Sequence, residues 1–348
     1  MFIGYKPKIY YNPNGKVCKL VEETSEIHKA YKPTPWLIGG HLHTVWGMRF
    51  RGRAPDNYRR EEFKFEDGGT TLLDWFEPKD ATPETPIVVI VHTLGGGTRE
   101  PCTNHFAMAT MKHGWRAVVA NSRSCSGAPI TSSRLYNAYE TNDLHAIIEH
   151  VHKVFSPTAV FMIGFSIGAT QSTLYCSREC HVDGVAVVSH VYDSVVAIGI
   201  LESPPQNKLY LPIIVSKLTH AVHKNQFITD PNLKKAENAK TLSEFDDMFT
   251  SKNLGMRDHI EYYENLLINP NIPLFKAPTL IIGSDDDPFT SKTVQPIKEV
   301  MSSENAAMVC YPVGGHVSFL TGMDGKKSIV ESIGLNWFDT ILKEKMKK

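Results

Sequence analysis

Two stretches of the 348-residue chain carry residue types that do covalent chemistry at meaningful spacing. The first is Gly164-Phe165-Ser166-Ile167-Gly168, a G-x-S-x-G pattern directly after the apolar run AVFMI. A serine on a sharp strand-to-helix turn takes strained backbone angles, and side chains two positions to either side would collide. Glycine at 164 and 168 removes those collisions. The turn lifts the Ser166 hydroxyl out of the sheet and leaves the peptide N–H of Ile167 free to bind an oxyanion. A serine hydroxyl is a weak nucleophile and needs a base. The second stretch supplies one. Tyr311-Pro312-Val313-Gly314-Gly315-His316 follows another apolar run, and its glycines let the loop bend back over the sheet. Of 15 histidines, His316 alone has this strand–Gly-Gly–His setting. An acid must orient the histidine, in the chain order serine, acid, histidine. Gly283-Ser284-Asp285-Asp286-Asp287-Pro288 offers three aspartates after the preceding apolar run. Asp287, just before proline, takes the place of the aspartate in a common G-x-x-D-P pattern; Asp286 is the alternative. Nucleophile, general base and orienting carboxylate together do acyl transfer.

Such a set needs a rigid frame. From Pro86 onward, short β-branched runs alternate with longer amphipathic ones. The runs Ile87–Val91, Ala117–Ala120, Val160–Ile163, Val185–Val188, Thr279–Ile282 and Met308–Tyr311 suit strands buried on both faces of a parallel sheet. Helices are expected at Phe106–His113, Asn142–Val154 and Ile167–Cys180, with a last one near the C-terminus. The alternation predicts an α/β chain with a mostly parallel, doubly wound sheet. Before it, Glu62–Glu66 and Thr70–Phe76 flank Asp67-Gly68-Gly69, a hairpin signal. Residues 1–60 are rich in proline, glycine and aromatics and read as an irregular arm packed on the core. The core then spans 61–193 and 271–348, interrupted by 194–270, which lacks clear strands. That segment reads as a helical lid between the sixth and seventh core strands, with an apolar stripe at Leu209, Ile213, Leu218 and Val222.

Composition removes other classes. Lys+Arg and Asp+Glu are both 37, so the basic excess of a nucleic-acid binder is missing. The chain is 42% hydrophobic and 21% charged, which excludes a largely disordered protein. Six scattered cysteines, no secretory signal and no long apolar run predict an intracellular, cytoplasmic protein without a transmembrane helix. Cys176, Cys180 and His181 lack the spacing and second cluster of a metal site, so no metal is expected. Gly95–Gly97 lacks the lysine of a phosphate loop, so no nucleotide cofactor is expected.

The nucleophile turn, the acid turn, the histidine loop and the strand ending in His92 resemble the α/β-hydrolase superfamily over roughly residues 60–345. A narrower resemblance is to its YheT-like branch, which includes fungal medium-chain ethyl ester synthase/esterases and abhydrolase-domain lipases. It rests on Pro35-Trp36-Leu37-Ile38-Gly39-Gly40-His41-Leu42-His43-Thr44, Asn121-Ser122-Arg123-Ser124-Cys125-Ser126-Gly127, Glu244-Phe245-Asp246, Tyr262-Tyr263 and Asp286-Asp287-Pro288-Phe289. The resemblance implies that Leu94, two residues past His92, donates the second oxyanion N–H beside Ile167. It also implies a serine esterase or lipase acting on lipophilic esters of short- to medium-chain acyl groups, with transfer to alcohols as a further outcome. A peripheral contact with a lipid surface is compatible with it; the oligomeric state is left open. A catalytically silent lipophilic-ligand receptor and a hydrolase of another acyl bond are the alternatives. This chain departs from the branch pattern at Thr93 and Ser124, where glycine is usual, and at His43, where glutamine is usual.

Overall fold

The computed structural model describes residues 4–55 and 57–347, so Met1–Ile3, Asp56 and Lys348 lie outside it. Its main sheet runs β1 (Lys8–Tyr11), β2 (Arg59–Lys64), β3 (Thr70–Phe76), β4 (Ile87–Val91), β5 (Arg116–Ala120), β6 (Val160–Phe165), β7 (Gly184–Val188), β8 (Thr279–Ser284) and β9 (Ala306–Tyr311). The spatial order is β1-β9-β8-β7-β6-β4-β5-β3-β2. β4 to β9 are parallel, and antiparallel strands close both edges. The β-branched runs are buried on two faces because side chains alternate along a strand. On β4, Ile87, Val89 and Val91 join one core, and Val88 and Ile90 join the other. Helices Asn142–Val154 and Ile167–Arg178 cover the first face, and Pro101–Lys112 and Ile329–Met346 the second.

Two expectations change. The arm is not irregular throughout: it holds β1 and the helix Gly40–Arg49. A four-residue edge strand shows no period of its own; β9 defines it, from Lys8 opposite Cys310 to Tyr11 opposite Ala307. The apolar stripe of the 194–270 segment is also differently phased. Leu209 ends a short helix, the chain breaks at Tyr210, and a new helix runs Leu211–Lys224. Its buried face is Leu211, Val215 and Val222, with Leu218 half-buried, while Leu209 and Ile213 are each 48% exposed. The segment centres two small apolar clusters, one around Leu201, Tyr210 and Leu242 that also takes in Phe289, the other around Val222, Phe245 and Phe249.

A buried polar knot holds the loop after β4. Asp74 on β3 is fully buried and accepts two bonds from Arg60, at 2.7 and 2.8 Å, and one from Asn121 Nδ2 at 3.0 Å. The Thr98 hydroxyl donates to the same carboxylate, and the Thr98 amide donates to Asn121 Oδ1 at 3.1 Å. Asp74→Ala removes the carboxylate on which these donors converge, leaving Asn121 Nδ2 on Leu72 O at 2.8 Å and the Thr98 hydroxyl on Asn121 Oδ1 at 3.2 Å. It is expected to lower stability in urea unfolding by more than Asn121→Ala does, since the latter keeps the Arg60–Asp74 pair and costs about 1–3 kcal/mol.

Candidate active site

Ser166 stands between β6 and the helix Ile167–Arg178 at φ 56° and ψ −120°. Its amide donates to Val188 O on β7 at 2.9 Å, which fixes the turn to the neighbouring strand. A Cβ on Gly164 would lie 2.4 Å from Gly168 O, and one on Gly168 would lie 2.4 Å from His92 O. The two glycines are therefore steric necessities, as the pattern implied. Ile167 is the first helical residue, so its N–H has no acceptor within the helix.

The Ser166 hydroxyl and His316 Nε2 are 2.7 Å apart. On the other side of the ring, Nδ1 lies 2.9 and 3.1 Å from the two carboxylate oxygens of Asp287. Asp287 also accepts from the Phe289 amide at 2.8 Å, and the Phe289 ring packs 4.3 Å from the imidazole. His316 and Asp287 are only 5% and 7% exposed. A carboxylate on Nδ1 selects the tautomer in which Nε2 accepts from the serine hydroxyl. The sequence-derived trio thus meets in one place.

Asp286 is placed differently. One of its oxygens accepts from the amides of Gly314 and Gly315, both at 2.9 Å. It braces the loop that carries His316 and does not touch the ring. Burial raises its carboxyl above the usual aspartate range. Three further braces surround the histidine. Its own amide donates to Thr44 Oγ1 at 2.8 Å, and the Val317 amide donates to Ser189 Oγ at 2.8 Å. Gly40, one turn before Thr44, packs so close to Asp286 that a Cβ would fall 1.8 Å from its carbonyl oxygen. Sequence reasoning assigned no role to Thr44 or Ser189; only the HLHT stretch hinted at the former.

Leu94 lies in a turn closed by Gly96 N–H to Thr93 O at 3.0 Å, and it lines the same cavity as Ser166, Ile167 and His316. His92, ahead of it, accepts from the Ser122 amide at 2.9 Å through Nε2, and its Nδ1 lies 2.6 Å from Thr93 O. Burial lowers its pKa and keeps it neutral. Thr93, where glycine is usual, donates its hydroxyl to Glu100 at 2.7–2.8 Å. Ser124, the second such departure, sits at φ 64°, the backbone region that favours glycine. His43 is buried, and desolvation pushes its imidazole down to about 4.

The cavity holds about 420 Å³ and is walled by the Leu211–Lys224 helix and its neighbours through Ile198, Leu201, Ile214 and Leu218. At one point it meets Asp246, whose carboxyl accepts from Tyr263 Oη at 2.8 Å and is raised by burial to about 6. The side chains of metal-ligating type that cluster elsewhere, His145, Glu149 and His181, lie beyond the other end of the Ile167–Arg178 helix. No helix among the described residues is long and apolar enough to cross a membrane.

A family model described as the alpha/beta hydrolase fold matches residues 86–323. Human phospholipase ABHD3 is 27% identical over 321 residues, covering 89% of this chain and 77% of that protein. The putative esterase YheT of Escherichia coli is 26% identical over 312 residues, covering 88% and 92%. Among solved structures, a Pyrococcus furiosus esterase, Pf2001, superposes with a TM-score of 0.53 at 15% identity, covering 81% of this chain and 90% of that one.

The braces make a prediction that is independent of substrate. Thr44→Val removes the acceptor of a buried amide at nearly constant shape. Urea unfolding should show a loss of about 1–3 kcal/mol, while Thr44→Ser should retain most of the stability.

Proposed function

The chain belongs to the α/β-hydrolase fold family, in its YheT-like branch, and on that premise we propose that it is a serine ester hydrolase with Ser166, His316 and Asp287 as its catalytic residues. The observation that carries this reading is the serine–imidazole–carboxylate chain opening into a mostly apolar cavity. Ser166 Oγ attacks the ester carbonyl carbon while His316 Nε2 takes its proton. The oxyanion accepts from the Leu94 and Ile167 amides. The carbonyl carbon–alkoxy oxygen bond then breaks, and Nε2 returns the proton to the departing alcohol. Water repeats the sequence on the acyl-enzyme, and an alcohol in its place would yield an ester. Asp287 stays ionised throughout, holding Nδ1–H and the imidazolium that forms.

The substrate in this reading is a lipophilic ester with a short- to medium-chain acyl group. The volume is in the range of small-molecule pockets, and its walls at Ile198, Leu201 and Leu218 are apolar. The names phospholipase and esterase among the relatives support the same class. Residues 194–270 act here as a lid whose inner face is the acyl wall. Leu42 and Phe50 of the arm are exposed, and Met48 between them borders the cavity, which supports peripheral contact with a lipid surface.

Ser166→Ala is expected to abolish labelling by a fluorophosphonate probe and to leave only about 10³–10⁴-fold catalysis over water. Wild-type hydrolysis of p-nitrophenyl esters by that variant would sink the assignment. Asp287→Asn should lower kcat by about 10⁴-fold by favouring the wrong tautomer. Asp286→Asn should do much less to kcat, because its oxygen can still accept from the Gly314 and Gly315 amides.

Chain-length specificity tests the acyl wall. Each buried methylene is worth about 0.8 kcal/mol, so kcat/KM should climb by up to about fifteenfold for every two carbons until the cavity is full, then fall. Leu218→Asp should flatten that rise in a folded protein. A flat profile in the parent protein would mean that the helices merely complete a core.

A further inference from the structure

Near the far end of the twelve-residue helix Ile167–Arg178, which is about 18 Å long, four ionisable side chains converge from two segments. His145 and Glu149 stand one turn apart on the helix Asn142–Val154. Glu179 and His181 lie in the connection that leads into β7. One ligand atom each from His145, Glu149 and His181 lies within 4.8 Å of the others. His181 Nδ1 contacts Glu149 Oε1 at 2.5 Å, and His145 Nδ1 lies 2.9 Å from Glu179 Oε2. The second pair is close but misaligned: His145 Nδ1 is buried and makes no hydrogen bond. Zinc bonds of about 2.0–2.1 Å at tetrahedral angles put neighbouring ligand atoms roughly 3.3 Å apart.

We infer that His145, Glu149 and His181 form a binding site for a divalent metal ion of the zinc type. Two imidazoles beside carboxylates favour zinc over magnesium or calcium, which take all-oxygen shells. The loop that presents His181 is already held. Its amide donates to Tyr175 Oη at 3.1 Å, and its carbonyl is 2.9 Å from His152 Nε2. The nearby thiols take no part, since Cys180 Sγ turns toward Cys176 Sγ at 3.6 Å. Glu149 and His181 are exposed, so an ion reaches the site without opening the fold. Bound there, it ties the Asn142–Val154 helix to the segment entering β7. The site shares no residue with the proposed esterase machinery, so it stands or falls separately.

The test is calorimetric titration of tag-free, chelator-treated protein with Zn²⁺, paired with thermal unfolding. One equivalent should bind with a micromolar dissociation constant. At a hundredfold excess over that constant the unfolding midpoint should rise by about 4 °C, and Mg²⁺ should give no rise. His145→Ala and His181→Ala should each weaken binding by at least about tenfold and remove the shift. Glu149→Gln, which keeps the shape, should weaken it too. His223→Ala alters a separate exposed pair with Glu237 and should leave binding intact. All these side chains lie at the surface, and circular dichroism checks the fold of each variant. Absence of one-equivalent binding, binding unchanged in both the His145 and His181 variants, or equal loss in His223→Ala would overturn the site.

Discussion

A serine at φ 56° is the constraint on which the rest of the structure depends. A non-glycine residue in that region costs of order 1–3 kcal/mol and persists only where its surroundings over-determine it. Here they do. β6 is central in the sheet and buried along its length, the following helix is almost wholly buried, and the Ser166 amide is pinned to Val188. The contacts that hold the turn also bring His92 and Val91 against Gly168, and so bring the Leu94 turn beside the serine. The proposed nucleophile and the proposed oxyanion loop are thus products of one packing event between neighbouring strands.

The histidine poses the opposite problem. β9 is three strands away from β6, roughly 14 Å at the usual strand spacing. A loop must carry His316 back across the ends of β8 and β7, and a loop alone would not hold an imidazole still. Each strand end that it crosses supplies a support. Asp286, after β8, takes two loop amides; Ser189, after β7, takes a third; Thr44 of the arm takes the amide of His316 itself. The arm is suited to this because β1 is hydrogen-bonded to β9, the strand that launches the loop. What reads as a peripheral extension takes part in positioning His316, the proposed base.

This division explains what was legible in the sequence. Ser166 and His316 sit in local patterns, a strand–turn–helix and a strand followed by paired glycines, so their neighbours in sequence announce them. The sheet core was legible for the same reason, since a strand buried on both faces is an unbroken apolar run. Asp287 and Asp286 could be ranked but not separated, because adjacent side chains in a turn diverge and only the fold shows which one meets the ring. Thr44 and Ser189 act across 272 and 128 residues of sequence and have no local signature. The stripe of the insertion was misphased because it ran through a helix boundary: Pro212 in the first turn of the Leu211–Lys224 helix marks a new start, and the Tyr210–Phe289 ring contact at 4.7 Å holds the break.

The departure at Thr93 carries the argument one step further. A side chain there, where glycine is usual, would be free to narrow the oxyanion turn, but its hydroxyl is bound to both oxygens of Glu100. Glu100 immediately precedes the Pro101–Lys112 helix, so the tether runs from the turn into the body of the fold. The same carboxylate also faces Lys217 of the insertion at 3.8 Å, with the lysine side chain 43% exposed. Two interactions of unequal strength therefore meet on one residue. A charge-assisted hydrogen bond is worth about 1.5–3 kcal/mol, whereas a long, solvated ion pair is worth at most about 1 kcal/mol. Displacement of the Leu211–Lys224 helix would break the weak link first and leave the strong one. The proposed oxyanion turn is therefore tied to the core through Glu100, while its Leu94 side chain packs against the insertion's apolar cluster, so the hydroxyl tether is what would hold the turn if that packing were lost.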